Sequence, residues 1–154
     1  MDLLENNVGL LIHDVARLLR KRFEQNARGL GLTRAQAQVL VHIARNEGMQ
    51  QGDLADLLEI EPITLTRILD RVEAAGHVER RAHPTDRRVR QLYLTPKAHP
   101  LIEQIMVIGA RTRSESFEGV PAKDRAILFE VLTAMKGNLL GIATGTVLEE
   151  SKNA

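Results

Sequence analysis

The chain has 154 residues, the length of one domain, and its side chains are 44% hydrophobic but only 3% aromatic, so its core must be aliphatic. A net charge of +1 points to no partner by itself, while the absence of cysteine excludes disulfides, thiol redox sensing and the commonest zinc clusters. The N-terminus opens on Asp2 and Glu5, not on a basic region ahead of an apolar run, and no apolar stretch approaches the ~18 residues of a membrane span, so a cytoplasmic protein with no membrane contact is expected.

In chain order, residues 3–28 place Val8, Leu11, Ile12, Val15, Leu18, Leu19 and Phe23 along one stripe, predicting a long amphipathic helix closed near Gly29 and Gly31. Thr33 is positioned to cap a second helix that runs to about Arg45, with Val39, Leu40 and Ile43 inward and Asn46-Glu47-Gly48 as its stop. Met49 and Gln50 read as a very short strand lying against a later hairpin. Residues 52–58 carry Leu54, Leu57 and Leu58 on one face of a short helix. Only Glu59, Ile60 and Glu61 separate it from the next helix, the linker length of a helix-turn-helix. That next helix has Pro62 in its first turn, where a missing N–H costs nothing, and Gly76 just past its end, where a left-handed residue is wanted. Leu65, Ile68, Leu69 and Val72 form its buried face; Ile63, Thr66, Arg67 and Asp70, flanked by Thr64 and Arg71, form the other.

After Gly76 the period becomes two: residues 77–80 and 89–94 alternate apolar and polar, as strands do. The loop between them, 82–88, holds the turn formers Pro84 and Asp86 and the adjacent Arg87 and Arg88. Short hydroxyls and arginines at a helix start suit base edges and phosphates in a major groove. A ribbon with arginines at its tip suits a narrow minor groove. Charge is distributed accordingly: residues 61–95 hold seven arginines against five acids, while the rest of the chain holds 14 basic and 15 acidic side chains. Any one arginine pair alone reads as a solvated face; linker length, bounded second helix and basic wing together predict a winged helix-turn-helix that binds double-stranded DNA.

Beyond the hairpin, Thr95 caps and Pro96 begins a helix bearing Leu101, Ile102, Ile105, Met106 and Ile108, with Pro100 tolerated near its start. Gly119 and Pro121 break the chain. A last helix from Ala122 carries Ile127, Leu128, Val131, Leu132, Met135, Leu139 and Leu140, and residues 149–154 read as a frayed tail. These helices lie outside the winged-helix unit, so they either pack on one another or form the two-fold interface that a palindromic site requires. The expected fold class is mainly α with a small β-hairpin wing. One domain, 1–154, would comprise a winged helix-turn-helix (32–95) and helical dimerisation parts (1–31 and 96–154).

The stretch Asp86-Arg87-Arg88-Val89-Arg90-Gln91-Leu92-Tyr93-Leu94-Thr95 resembles the wing signature of the MarR family of bacterial transcription regulators. The recognition-helix phrase Ile63-Thr64-Leu65-Thr66-Arg67-Ile68-Leu69-Asp70-Arg71-Val72-Glu73 and the pair Leu32-Thr33 are also similar to the family. The resemblance spans roughly residues 8–142, is strongest over 50–95, and is nearest the SlyA-like branch. It implies a homodimer on a palindromic operator, with Thr64, Thr66, Arg67 and Arg71 in the major groove. Arg87 or Arg88 would enter the minor groove, with Arg90 in the same basic wing, and Asp86 would hold an arginine by a salt bridge. On the residues alone, Asp86 is equally a turn former and Arg67 equally a partner of Asp70 or Glu73.

Many relatives are repressors released by small aromatic acids held between the dimer helices and the winged helix. The resemblance then points to His13, Arg17, Gln38 and His42, two pairs each one helical turn apart, as a pocket where a cation meets a carboxylate. On the residues alone, Arg17 equally pairs with Asp14 or Glu24. No metal site is expected, since the helix starting at Pro96 has only His99. No enzyme is expected either, because nucleophile elbows, phosphate-binding glycine loops and metal-spaced histidine pairs are missing, and no cofactor is implied. The alternative is a winged helix that binds protein and no DNA, which would favour a neutral or acidic wing.

Overall fold

Asn7 sets the start of the first helix: its backbone is extended and its side-chain oxygen accepts the amides of Gly9 and Leu10. Helix α1 runs Val8–Asn26. The computed structural model describes residues 7–141, so positions 3–6 of the expected helix and the expected tail 149–154 lie outside the described residues. A 3-10 turn at Arg28–Leu30 closes on Gly31, whose φ of 68° suits glycine. Helix α2 (Arg34–Arg45) opens on a full capping box, Thr33 and Gln36 each bonding the other's backbone amide.

Helices α3 (Gln51–Leu58) and α4 (Pro62–Ala74) follow, then β1 (Val78–Ala82) and β2 (Arg90–Leu94). The strands pair antiparallel, from Val78 opposite Leu94 to Ala82 opposite Arg90. The expected short segment beside the hairpin is present as a bridge between Gln50 and Gln91, flanked by backbone bonds from Gly48 and to Met49. Gly48 has φ 84°, and a Cβ there would meet the Tyr93 hydroxyl at 3.0 Å, so both conformation and space require glycine. Helices α5 (His99–Ser116) and α6 (Ala122–Leu139) complete the described elements. The chain divides into two compact units, Met1–Ser116 and Phe117–Ala154, with α6 in the second. No described helix is long and apolar enough to cross a membrane.

The core of the first unit is aliphatic, as the composition requires. Val39, Leu40 and Ile43 of α2, Leu54 of α3, Leu65, Leu69 and Val72 of α4, Val78 and Leu92 of the hairpin and Ile105 of α5 are all buried in one cluster. Burying each such side chain is worth about 1.5–3 kcal/mol. Leu57 departs from expectation, remaining 55% exposed. At 100° per residue, Ala55 and Leu58 flank Leu54 on one side of α3 while Leu57 falls on the other, so the buried stripe is Leu54, Ala55 and partly Leu58. Thr95 also departs: its hydroxyl donates to the Gly76 carbonyl instead of capping a helix. The chain then makes a 3-10 turn, Pro96–Ala98, and α5 begins only at His99. Pro100 consequently sits in the first turn of α5, where no N–H is needed.

A polar node joins α1 to α5. Glu115 accepts hydrogen bonds from Arg22, from Asn26 Nδ2 at 3.1 Å and from Arg111 at 2.9 Å. Asn26 also donates to the buried Thr112 hydroxyl, which itself donates to the Ile108 carbonyl. Bonding to Arg22, foremost, then to Asn26 and Arg111, holds the Glu115 carboxyl down at about 2. A folded-state value depressed from 4.5 contributes stability that is complete above that pH and lost as pH falls toward 2. Glu115→Gln should therefore lower the melting temperature at neutral pH, and the gap to the parent protein should narrow steadily below pH 4.5. Melting curves in acid that run parallel for the two proteins would contradict this.

Candidate nucleic-acid interface

Helix α4 is fixed by its buried face, which leaves Ile63, Thr64, Arg67 and Arg71 exposed on the outside. Thr66 is different. Its hydroxyl donates to the Pro62 carbonyl and accepts from Gln51 Nε2, both at 3.0 Å, so its proton is used within α4 and its oxygen joins α3 to α4. Arg67 and Arg71 take part in none of the ion pairs among the described residues. Asp70, one turn from Arg67, and Glu73 further along α4 are bound by Arg80 at 2.7 and 3.0 Å.

The wing tip is built by local turn chemistry. The Asp86 carboxylate accepts the Arg88 amide at 3.0 Å, the Asp86 carbonyl accepts from Val89, and His83 closes the loop onto the Val89 carbonyl. Asp86 is therefore a turn former here, and the expected salt bridge to an arginine is not among the ion pairs of the described residues. Its carboxylate points back into the turn while Arg87, Arg88 and Arg90 are exposed and outside any described ion pair. The other two wing arginines are neutralised internally: Arg80 as above, and Arg81 by Glu79 at 3.1 Å while stacked 4.0 Å over the Tyr93 ring. Five arginines thus remain available: 67 and 71 on α4, and 87, 88 and 90 on the wing. A cleft of about 330 Å³, lined among others by Gln51, Gly52, Pro62, Arg88 and Arg90, joins the wing to the N-terminal ends of α3 and α4. Helix N-termini carry partial positive charge, so the cleft and the arginines share one sign.

A second cavity, of about 340 Å³, lies among α1, α2 and α5. Gln38 and His42 line it as expected; His13 and Arg17 do not. Arg17 instead lies beside Asp14, at 3.5 Å on the exposed side of α1, as its spacing allowed. The basic groups at the cavity are Arg20, Arg34, Arg45 and Arg113, none of them expected from the sequence, over an apolar floor that includes Phe23, Val41 and Ile105. Arg34, Gln38 and His42 follow one another at i, i+4, i+8, a stripe that the helix period alone would have revealed. Burial, with the neighbouring Arg45 charge, lowers the His42 pKa from its ordinary value. Among the described residues, the lining contains no carboxylate.

Residues 30–89 match the model of the MarR family. Among solved structures, the chain is similar to the transcriptional regulator PA3341, at 35% identity over 86% of this chain and 98% of that one, with a TM-score of 0.76. It is similar to wild-type MarR in its apo form from E. coli at 29% identity, covering 83% and 96% of the two chains, also with a TM-score of 0.76. The transcriptional regulator SlyA, at 23% identity over 87% and 94% with a TM-score of 0.75, shares the fold.

The turn role of Asp86 is testable without any ligand. Asp86→Ala should speed hydrogen exchange of the Arg88 amide by roughly five- to tenfold, the equivalent of one ~1 kcal/mol hydrogen bond, whereas Asp86→Asn, which keeps an acceptor, should change it little. Equal acceleration in both variants would show that the negative charge, not the turn bond, is what matters.

Proposed function

We propose a function on one premise: this chain belongs to the MarR family of transcription regulators. It binds double-stranded DNA as a homodimer, with α4 in successive major grooves of a palindromic operator and the wing tips over the flanking minor grooves, and it represses transcription. The observation that carries this reading is the set of five exposed arginines on α4 and the wing, outside every described ion pair. A wing serving only protein contact has no need to keep Arg87, Arg88 and Arg90 exposed and unneutralised.

Exposed apolar faces support the dimer. Val8, Leu11, Val15 and Leu18 recur at intervals of three and four along α1, and each is about half exposed. In α6, taken by itself, no residue is buried and Phe129 is 74% exposed. Contiguous apolar surface of this kind marks an association site. The cavity among α1, α2 and α5, basic at its edge and apolar below, suits a small aromatic acid. Such a ligand would release the protein by changing the separation of the two recognition helices, which half-sites one turn apart hold near ~34–36 Å.

Replacing Arg87 and Arg88 together with alanine should weaken binding to DNA and flatten the dependence of log Kobs on log salt by about 0.9 for each phosphate no longer neutralised. Unchanged affinity and slope would remove the wing from the interface. Val15→Glu combined with Leu18→Glu should convert a dimer of twice 17.2 kDa into a monomer in light scattering. A variant that stays dimeric would place the interface elsewhere.

A further inference from the structure

We propose that Arg80 is a positioning residue of the DNA interface, holding the wing at a fixed angle to α4 through Asp70 and Glu73 without itself touching a phosphate. The inference rests on the DNA-binding reading above. A two-stranded ribbon of five-residue strands is marginally stable alone, so the direction in which its tip points is set by what holds its base: the core under Val78 and Leu92, the bridge to Gln50, and the junction where β1 leaves α4. That junction is built around Arg80. The backbone N–H of Arg80 is bonded to Glu73 Oε2 at 3.2 Å, which satisfies a donor that the partner strand does not reach. Nε donates to the same oxygen at 3.0 Å, and Nη2 donates to Glu73 Oε1 at 3.0 Å and to Asp70 Oδ1 at 2.7 Å. One residue of the wing thus makes four hydrogen bonds to two carboxylates a helical turn apart on α4.

A planar guanidinium gripped this way resists both rotation and translation, which a lysine ammonium does not. The Arg80 side chain is 21% exposed against 40% for Glu73 and 56% for Asp70, so the guanidinium is the sheltered end of both pairs. The charge of Arg80 is committed to two acids of the proposed recognition helix. Arg80 therefore differs in kind from Arg87, Arg88 and Arg90: it orders them, while they supply the attraction.

The test measures Kobs against salt for the full-length wild type, Arg80→Met, Arg80→Lys, Glu73→Gln and Arg80→Met with Glu73→Gln. The probe is the duplex that the wild-type chain selects from a random-sequence DNA pool, and measurements stay below each variant's melting temperature. Each single variant should lose about tenfold in affinity, the size expected for charge-assisted hydrogen bonds, with the salt slope unchanged. The double variant should be no weaker than Arg80→Met. Arg80→Lys keeps the charge and the fold but not the fork, so it should fail to restore affinity. A slope that falls by about 0.9 per neutralised phosphate in Arg80→Met but is rescued by Arg80→Lys would identify a phosphate ligand and overturn the proposal. Full affinity in a folded Arg80→Met protein would reduce the role to stability alone and overturn it too. A wild-type chain that retains no duplex at low salt would overturn the DNA-binding reading itself, and this inference with it.

Discussion

The burial of Leu65, Leu69 and Val72 of α4 in the same cluster as Val39, Leu40 and Ile43 of α2 decides which side of α4 faces water. The DNA interface proposed for this protein follows from that orientation. With one stripe committed to an aliphatic core, Ile63, Thr64, Arg67 and Arg71 face outward, and the hairpin that leaves α4 at Gly76 is carried along with it. Leu92 and Val78, in the same cluster, seat the base of that hairpin on the core. A slip of one residue in α4 would rotate the exposed set by about 100° and bring Arg67 and Arg71 toward the core. The hydrophobic term therefore does more than stabilise: it aims the charged groups.

Charge is then sorted by proximity. The chain as a whole is nearly neutral, yet residues 61–95 hold seven arginines against five acids, and three of those acids are held in specific pairs. Asp70 and Glu73 are held by Arg80, and Glu79 by Arg81. The Glu73 carboxyl lies below its usual range because of the Arg80 hydrogen bonds, foremost among several causes. What remains is a set of arginines outside the ion pairs of the described residues, which is the condition for attracting a polyanion over distances comparable to the Debye length.

Features that depend on neighbours in sequence are readable without the fold. Thr33 with Gln36, Pro62 with Gly76, and the period change after Gly76 fix element boundaries through capping, proline geometry and strand alternation; the helix starts fall at those residues, while β1 runs Val78–Ala82, two residues past its expected end. The expectations that the structure changes depend on neighbours in space. The Thr66 hydroxyl is engaged because Gln51 of the preceding helix reaches it, and the Thr95 hydroxyl is drawn to the Gly76 carbonyl across the base of the hairpin. His13 and Arg17 share a face of α1, but the cavity opens further along that helix, beside Leu19, Arg20 and Phe23. Arg34 and Arg45 lie within reach of the helix period on α2; Arg113, on a helix distant in sequence, does not.

The most direct test is a titration of the wild-type chain into its selected duplex at several salt concentrations, reading both the affinity and the number of chains bound at saturation. A dimer that reads DNA through these arginines should saturate at two chains per duplex. Its log Kobs should fall linearly with log salt, with a slope of at most about −9 if all five available arginines of both chains meet phosphates. Binding that ignores salt, or that saturates at one chain per duplex, would contradict both the interface and the dimer.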